Sequence, residues 1–463
     1  MDILNINLNH SSSIPLYIQL YKFIKEEIQK GNLKSKSKLP SKRKLSSYLG
    51  ISQNTIESAY GQLDAEGYIY SIEKRGYFVS ELSEVIDISE KEKRKENRKR
   101  ESLYKYEFFS SRVDLESFPF SIWKKINKEI MNEENKEFLQ IGHSQGDYNL
   151  RETIGNYLKY SRGVNTRAEN IIIGAGTEYL IQLLINLLGE DKSYGMEEPG
   201  YYKIRKILET VNIKAKAIEI DNQGIDIDKL NETNCDVIHI TPSHQFPTGI
   251  IMPIKRRIDL LKWAKEKKGR YIIEDDYDSE FRFEGRPIPA LQSLDYEGKV
   301  IYIGTFSKSF IPSMRIAYMV MPDELIKVYR NKFSFYACTV SRQSQQAINK
   351  FIEEGYFERH LNRMRNTYKK KREFLVNRLK EDFKDTEIIG TNAGLHLLIK
   401  VNNGLSEEEL IERAKKVKIR ILGISNSYLE NKNKESIVFL GYGNLSIKEI
   451  DEALNLLKKV WGL

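Results

Sequence analysis

Val300-Ile-Tyr-Ile-Gly-Thr-Phe-Ser-Lys-Ser-Phe-Ile-Pro-Ser-Met-Arg315 is the stretch that decides the fold. Its β-branched start, Val300 to Ile303, predicts a buried strand that breaks at Gly304. A lone lysine, Lys308, then stands between two serines, and Arg315 follows seven residues later. Upstream, Tyr271-Ile-Ile-Glu-Asp-Asp-Tyr-Asp278 predicts a second apolar strand, ending in acids. Residues at i and i+2 of an extended chain point the same way, so Asp275 and Tyr277 share a face. Asp276 and Asp278 face the other way and read as surface or capping residues.

A lysine, a carboxylate, a phenol and an arginine at strand ends are the set that pyridoxal phosphate (PLP) requires. The lysine forms an imine with the aldehyde, and the carboxylate keeps the ring nitrogen protonated, which makes the ring an electron sink. The phenol bonds the ring hydroxyl, and the arginine takes the phosphate bidentately. The plain alternative for Lys308 is an exposed surface lysine. The flanking strand, the small-residue turn and Arg315 argue against it.

Further upstream, Ile171-Ile-Ile173 predicts a strand that runs into Gly174-Ala-Gly-Thr177 and an apolar helix, Glu178 to Leu188. A strand, a Gly-rich turn and a helix N-terminus offer free backbone amides to an anion. Gly176 and Thr177 sit at that turn. The signal is common in α/β proteins. Joined to Arg315, Thr305 and Ser307 it becomes a phosphate cup.

Composition bounds the rest. The chain has 463 residues, a net charge of +9 and two cysteines, Cys235 and Cys338. That length suits roughly three lobes at ~150 residues each. Two cysteines are too few for a disulfide framework, so a reducing, cytoplasmic setting is expected. The first residues carry no signal-peptide pattern. The longest apolar run, Tyr179 to Leu188, is too short to span a bilayer. The basic balance favours a polyanionic partner, weakly by itself.

The N-terminal residues place that charge. Pro15 suits the first turn of a helix, and Leu16, Leu20, Ile24 and Ile28 give it one apolar stripe ending at Gly31. Ser41 caps a short helix that stops at Gly50, and Ser52 caps a third that closes at Gly67. Two short helices about a tight turn form a helix-turn-helix. Tyr68-Ile-Tyr70 and Tyr77-Phe-Val79 flank a polar turn with Lys74, Arg75 and Gly76, a hairpin of the size of a wing. From Lys30 to Lys44 there are seven basic residues and no acids. The run Lys91 to Arg100 is almost all charge and reads as a solvated tether.

These motifs together carry a resemblance that covers nearly the whole chain. Residues 108–463 resemble a fold-type I aminotransferase, and residues 14–80 a GntR-type winged helix-turn-helix. The combination resembles the MocR/GabR family of PLP-dependent transcription regulators. It implies a DNA-binding domain over 1–80, a charged linker over 81–107 and an α/β effector body over 108–463. That body would have a mainly parallel sheet and a small C-terminal α+β lobe. It implies PLP held as an internal aldimine on Lys308, with Asp275 on the ring nitrogen and Tyr277 on the ring hydroxyl. Tyr201, after Pro-Gly, would stack on the ring, and Gly176, Thr177, Thr305, Ser307 and Arg315 would surround the phosphate. It implies operator contacts from Ser41, Arg43, Ser52, Gln53, Asn54 and Thr55 and from the wing residues Lys74, Arg75 and Gly76. It also implies a homodimer, no metal, and an effector that is PLP, an amine or an amino acid.

Two departures from the family pattern stand out, at Gln53 and Phe439, beside one difference from aminotransferases that many of these regulators share, at Phe246. Many relatives carry arginine at Gln53, and glutamine prefers adenine where arginine reads guanine. Phe246 stands where an asparagine usually bonds the ring hydroxyl, which leaves that contact to Tyr277, His244 or Gln245. Phe439 stands where an arginine usually grips a substrate carboxylate, and a phenyl ring cannot replace a guanidinium. Lys203 or Arg205 would have to supply that grip instead. The arginine missing at Phe439 favours a sensor of PLP, with vitamin B6 or amino-acid metabolism under its control, over a working aminotransferase with an accessory DNA-binding domain. A body reduced to a dimerisation scaffold fits least, because loss of the cofactor would relax the lysine–aspartate–tyrosine–arginine set.

Overall fold

The structure, a computed structural model, describes residues 6, 8–81, 103–109, 112–283, 288–391, 394–429 and 435–463. The chain divides into two compact units, Met1–Glu101 and Ser102–Leu463. The charged run from Lys91 to Arg100 lies outside the described residues.

The first unit is three helices and a hairpin. Helix α1, Leu16–Gln29, buries Leu20, Ile24 and Ile28. Helix α2, Lys42–Leu49, starts where the Ser41 hydroxyl accepts the Lys44 amide and stops at Gly50 in the left-handed region. Helix α3, Gln53–Ala65, starts under the same device, Ser52 accepting the Thr55 amide. Strands β1, Ile69–Ile72, and β2, Gly76–Val79, pair antiparallel with Ile69 opposite Val79. Ile56, Tyr60, Leu63, Ile69 and Val79 close the core against α1. The predicted helix-turn-helix and wing are both present.

The second unit opens on β3, Tyr106–Glu107, which pairs with Ile419–Arg420 far along the chain. Tyr106 and Phe108 are buried in the core of the small lobe. The body therefore begins before residue 108, inside the expected linker, because these aromatics have a core to fill.

An eight-stranded sheet forms the large lobe. Its strands are β4 (Ile171–Gly174), β5 (Tyr194–Glu198), β6 (Lys216–Asp221), β7 (Gly224–Ile225), β8 (Val237–Ile240), β9 (Tyr271–Asp276), β10 (Val300–Thr305) and β11 (Ala317–Val320). They run in the order β4-β11-β10-β9-β8-β5-β6-β7. The run from β10 through β9, β8 and β5 to β6 is parallel, and β11 lies antiparallel between β10 and β4. Strands covered on both faces read as unbroken apolar runs, and β4, β8 and β10 are buried throughout. The small lobe carries β12 (Thr386–Ile389), β13 (His396–Val401), β14 (Ile419–Arg420), β15 (Leu422–Gly423) and β16 (Ile437–Gly441). Helices Glu407–Lys416 and Ile447–Trp461 pack there, each begun by a capping box, Ser406 with Glu409 and Ser446 with Glu449.

Strand β10 does not break at Gly304. Gly304 pairs with Asp276 on one side and Tyr318 on the other, and pairing runs on to Thr305. A Cβ at Gly304 would stand 2.5 Å from the Tyr318 hydroxyl oxygen, so the glycine makes room for that ring. Among the described residues no helix is long and apolar enough to cross a membrane.

Candidate functional site

In an open α/β sheet the carboxyl ends of parallel strands line a crevice. Here β9 delivers Asp275 and then Tyr277, and β10 delivers Thr305 and the short helix Phe306–Ser309 that carries Lys308. Asp275 lies in register with Ile303, two residues before Thr305. A cavity of about 590 Å³ opens at this edge. Thr177, Tyr201, Asp275, Tyr277, Thr305, Ser307, Lys308 and Arg315 all line it. The residues singled out from four separate stretches of sequence thus line one cavity.

Asp275 is 4% exposed. Its Oδ2 lies 3.3 Å from His239 Nε2, and its Oδ1 has no partner. A buried carboxylate oxygen without a donor is costly, and it marks the place of a missing one. Lys308 Nζ stands 4.2 Å from the centroid of the Tyr277 ring. Burial pushes the Lys308 amine below its ordinary pKa, against the pull of Asp278 and Asp275. The Tyr277 hydroxyl lies 3.0 Å from His244 Nδ1, which lies equally close to Asp278 Oδ2. Neither His244 nor Gln245 lines the cavity. The Gln245 amide is spent on the Pro199 and Phe246 carbonyls, which leaves Tyr277 as the group that faces in.

The opposite end is cationic. Gly176, with φ +99°, caps the helix Thr177–Leu188. A Cβ on Gly176 would stand 2.2 Å from Arg315 Nη2, so only glycine lets the guanidinium lie against this turn. Arg315 Nη2 is 2.6 Å from Glu178 Oε2, and Lys203 Nζ is 2.9 Å from Glu178 Oε1. Burial works to raise the Glu178 pKa, but Lys203 and Arg315 outweigh it and hold the carboxyl at about 2. An arginine at a helix N-terminus, an amine with a lowered pKa and an unpartnered carboxylate oxygen fit a phosphorylated pyridine aldehyde.

The third wall is aromatic. Phe439 lines the cavity and stacks on Phe246 with centroids 5.7 Å apart. Strand β16 reads Ile437-Val-Phe-Leu-Gly441 and holds no base at all. Ile437 and Phe439 share an apolar cluster with Phe246 and Leu398, so a register slip of two residues would still bring no cation inward. Lys203 and Arg205 both line the cavity, but each is engaged. Lys203 holds Glu178, and Arg205 Nη1 donates to the Tyr428 carbonyl at 3.0 Å.

Two acids differ from the sequence reading. Asp276 and Asp278 are not surface residues; both are buried. Asp276 Oδ2 accepts from Arg162 at 2.7 Å and from the Tyr302 hydroxyl at 2.6 Å. Asp278 holds His244. Both faces of β9 are covered, so an outward-pointing acid needs a buried partner. Sequence reasoning also passed over Glu178 and His239. The signals were present: Glu178 adjoins the quoted turn, and His239 is the one polar residue in an otherwise apolar strand.

In the first unit Arg43, Gln53 and Asn54 are exposed at the starts of α2 and α3. The Ser41 and Ser52 hydroxyls serve as acceptors for their helix caps. Thr55 is half-buried and pairs with the Ser52 hydroxyl at 2.9 Å. Lys74, with φ +58°, and Gly76 turn the wing, and Arg75 reaches over the Phe78 ring.

The fold and cavity define a class: an aminotransferase-like body fused to a winged helix-turn-helix. Comparison with known proteins agrees with both parts. "Aminotransferase class I and II" matches residues 112–435, and "Bacterial regulatory proteins, gntR family" matches residues 16–79. The uncharacterized HTH-type transcriptional regulator YdeL of Bacillus subtilis is 41% identical over 457 residues, covering 98% of both chains. The probable rhizopine catabolism regulatory protein MocR of Rhizobium meliloti is 30% identical, covering 98% of this chain and 95% of its own. A kynurenine aminotransferase from Pyrococcus horikoshii, solved in complex with PMP, superposes with a TM-score of 0.69 at 26% identity. That match covers 77% of this chain and 90% of the aminotransferase.

The chain belongs to the MocR/GabR-type family of HTH transcriptional regulators, and the cofactor of its aminotransferase-like body is pyridoxal phosphate.

Proposed function

We propose that this regulator uses its body as a sensor of cofactor status, with the cofactor held on Lys308 and the response read out as affinity for an operator. When bound, PLP supplies an aldehyde reactive towards amines and an electron-withdrawing ring. Lys308 is the amine that holds it. Asp275 Oδ1 would receive the ring N–H, with His239 fixing the carboxylate from behind. Tyr277 would meet the ring hydroxyl, Tyr201 would cover the ring, and Gly176, Thr177, Thr305, Ser307 and Arg315 would hold the phosphate. Arg43, Gln53 and Asn54 meet DNA from the helices, Ser41, Ser52 and Thr55 support them, and Lys74, Arg75 and Gly76 do so from the wing. The working unit is a cytoplasmic homodimer, and vitamin B6 synthesis is a natural target for such a sensor.

One observation carries this reading. The lysine–aspartate–tyrosine–arginine set is complete, yet β16 presents Phe439 and no base to the cavity. Losing a charge-assisted grip on a substrate carboxylate costs on the order of 2–5 kcal/mol, which disfavours sustained transamination. The second reading, a working aminotransferase with an accessory DNA-binding domain, needs Lys203 or Arg205 to leave its partner. Turnover of an amino donor with a 2-oxo acid at about 1 s⁻¹ or faster would favour it. The test of the first reading is titration of the chain onto its own upstream DNA with and without PLP. Affinity or footprint should change with the cofactor; identical curves would remove PLP as the signal.

A further inference from the structure

We propose that Glu178 is a resident competitor for the phosphate cup, and that it holds cofactor affinity low enough for occupancy to follow cofactor concentration. The inference rests on the reading of the cavity as a PLP site and adds how that site is tuned.

Glu178 stands in the first turn of the twelve-residue helix Thr177–Leu188. A carboxylate there is favoured by the helix dipole, and a phosphate would seek the same N-terminus. Glu178 also takes the guanidinium that lies against the turn, at 2.6 Å from Arg315 Nη2. Lys203 and Arg315 keep it ionised at neutral pH. The carboxylate therefore already occupies two of the attractions that the cup offers an incoming phosphate, the helix N-terminus and Arg315. Binding becomes an exchange of one anion for another on Arg315.

Lys203 makes that exchange feasible. It holds the other carboxylate oxygen, Oε1, at 2.9 Å. When a phosphate takes Arg315, Glu178 can keep Lys203 and stay paired. The cup gains one charge-assisted bond and loses another, so the net attraction is smaller than an unoccupied arginine would give. A sensor benefits from this, because a cofactor bound far above its Kd at all times reports nothing.

The experiment uses the full-length chain, freed of cofactor and titrated with PLP by visible absorbance. Arg315 and Glu178 are both partly solvated, with side-chain exposures of 48% and 37%, so their pair is worth less than a buried one. Glu178→Gln is expected to bind PLP about five- to tenfold more tightly than the native chain. Pyridoxal, which has no phosphate, should show no such gain. Glu209→Gln is the control for general field effects. It removes a carboxylate that pairs with Lys206 and Arg205 and does not touch Arg315, and it should leave PLP affinity unchanged. Should Glu178→Gln fail to fold, Lys203→Met reads the same exchange from the other side. With its second seat gone, Glu178 clings to Arg315 and PLP binds more weakly, while pyridoxal does not. Equal or weaker PLP binding by Glu178→Gln overturns the inference, as does an equal gain for pyridoxal or for Glu209→Gln. Failure of the native chain and all variants to bind PLP would instead overturn the reading of the cavity itself.

Discussion

Replacing Asp275 with asparagine should push the cofactor-free and cofactor-bound states in opposite directions. Without cofactor, Asp275 is a carboxylate with one oxygen near His239 and the other buried without a donor. Removing an under-partnered buried charge stabilises a fold by about 1–2 kcal/mol. With cofactor, that same oxygen would be the acceptor for the ring N–H. A charge-assisted hydrogen bond of this kind is worth about 1.5–3 kcal/mol, or roughly 10- to 150-fold in Kd. Asp275→Asn would therefore raise the thermal midpoint of the cofactor-free chain and weaken PLP binding at the same time. The assay is a pair of measurements on one preparation: thermal unfolding of the stripped chain, then a PLP titration by absorbance. If PLP affinity stays within about twofold of the native value, the unpartnered oxygen is not the seat of the ring nitrogen, and the assignment fails.

Three further outcomes are expected. Burial lowers the Lys308 pKa, and imine formation needs the neutral amine. The rate of adduct formation with PLP should rise with pH and level off below the ordinary lysine value of about 10.4; a rate that climbs unchanged through that value would argue for an exposed lysine. Burial also lowers His396 to about 3, while the unfolded chain titrates near 6.5. Between those values the unfolded state binds the extra proton, so body stability is complete above about pH 6.5 and falls as pH drops towards 3. His396→Gln keeps a donor for the Pro247 carbonyl and should flatten that fall in thermal midpoint; an unchanged pH profile would clear His396 of the effect. Finally, log K for operator binding should fall steeply with log salt, by ~0.9 per phosphate neutralised. Arg43→Ala should weaken binding, and insensitivity to both salt and this change would move the DNA face elsewhere.

How much of this was legible in the chain follows from distance along it. The helix-turn-helix could be read because its caps are local: Ser41 with Lys44 and Ser52 with Thr55 lie three residues apart. Lys308, Asp275 and Tyr277 could be read because parallel strands present their own ends, and each end is a short motif. What could not be read depended on partners from distant stretches. Asp276 looked like a surface acid because its partner, Arg162, lies 114 residues away. Gly304 looked like a break because Tyr318, whose ring fills its missing side chain, sits on the next strand. Tyr106 looked like linker because its pairing strand, β14, comes late in the chain. Glu178 was missed for the same reason. Its meaning lies in Arg315 and Lys203, not in the turn that carries it.

Attachment of the cofactor at Lys308 is what the proposed sensor function depends on most directly. The measurement is the visible spectrum of the purified chain, followed by borohydride reduction and peptide mass mapping. A yellow protein with the pyridoxyl adduct on Lys308, whose spectrum stays silent when amino acids are added, is the expected result. A chain that stays colourless after PLP is supplied, or an adduct on any other lysine, would contradict it.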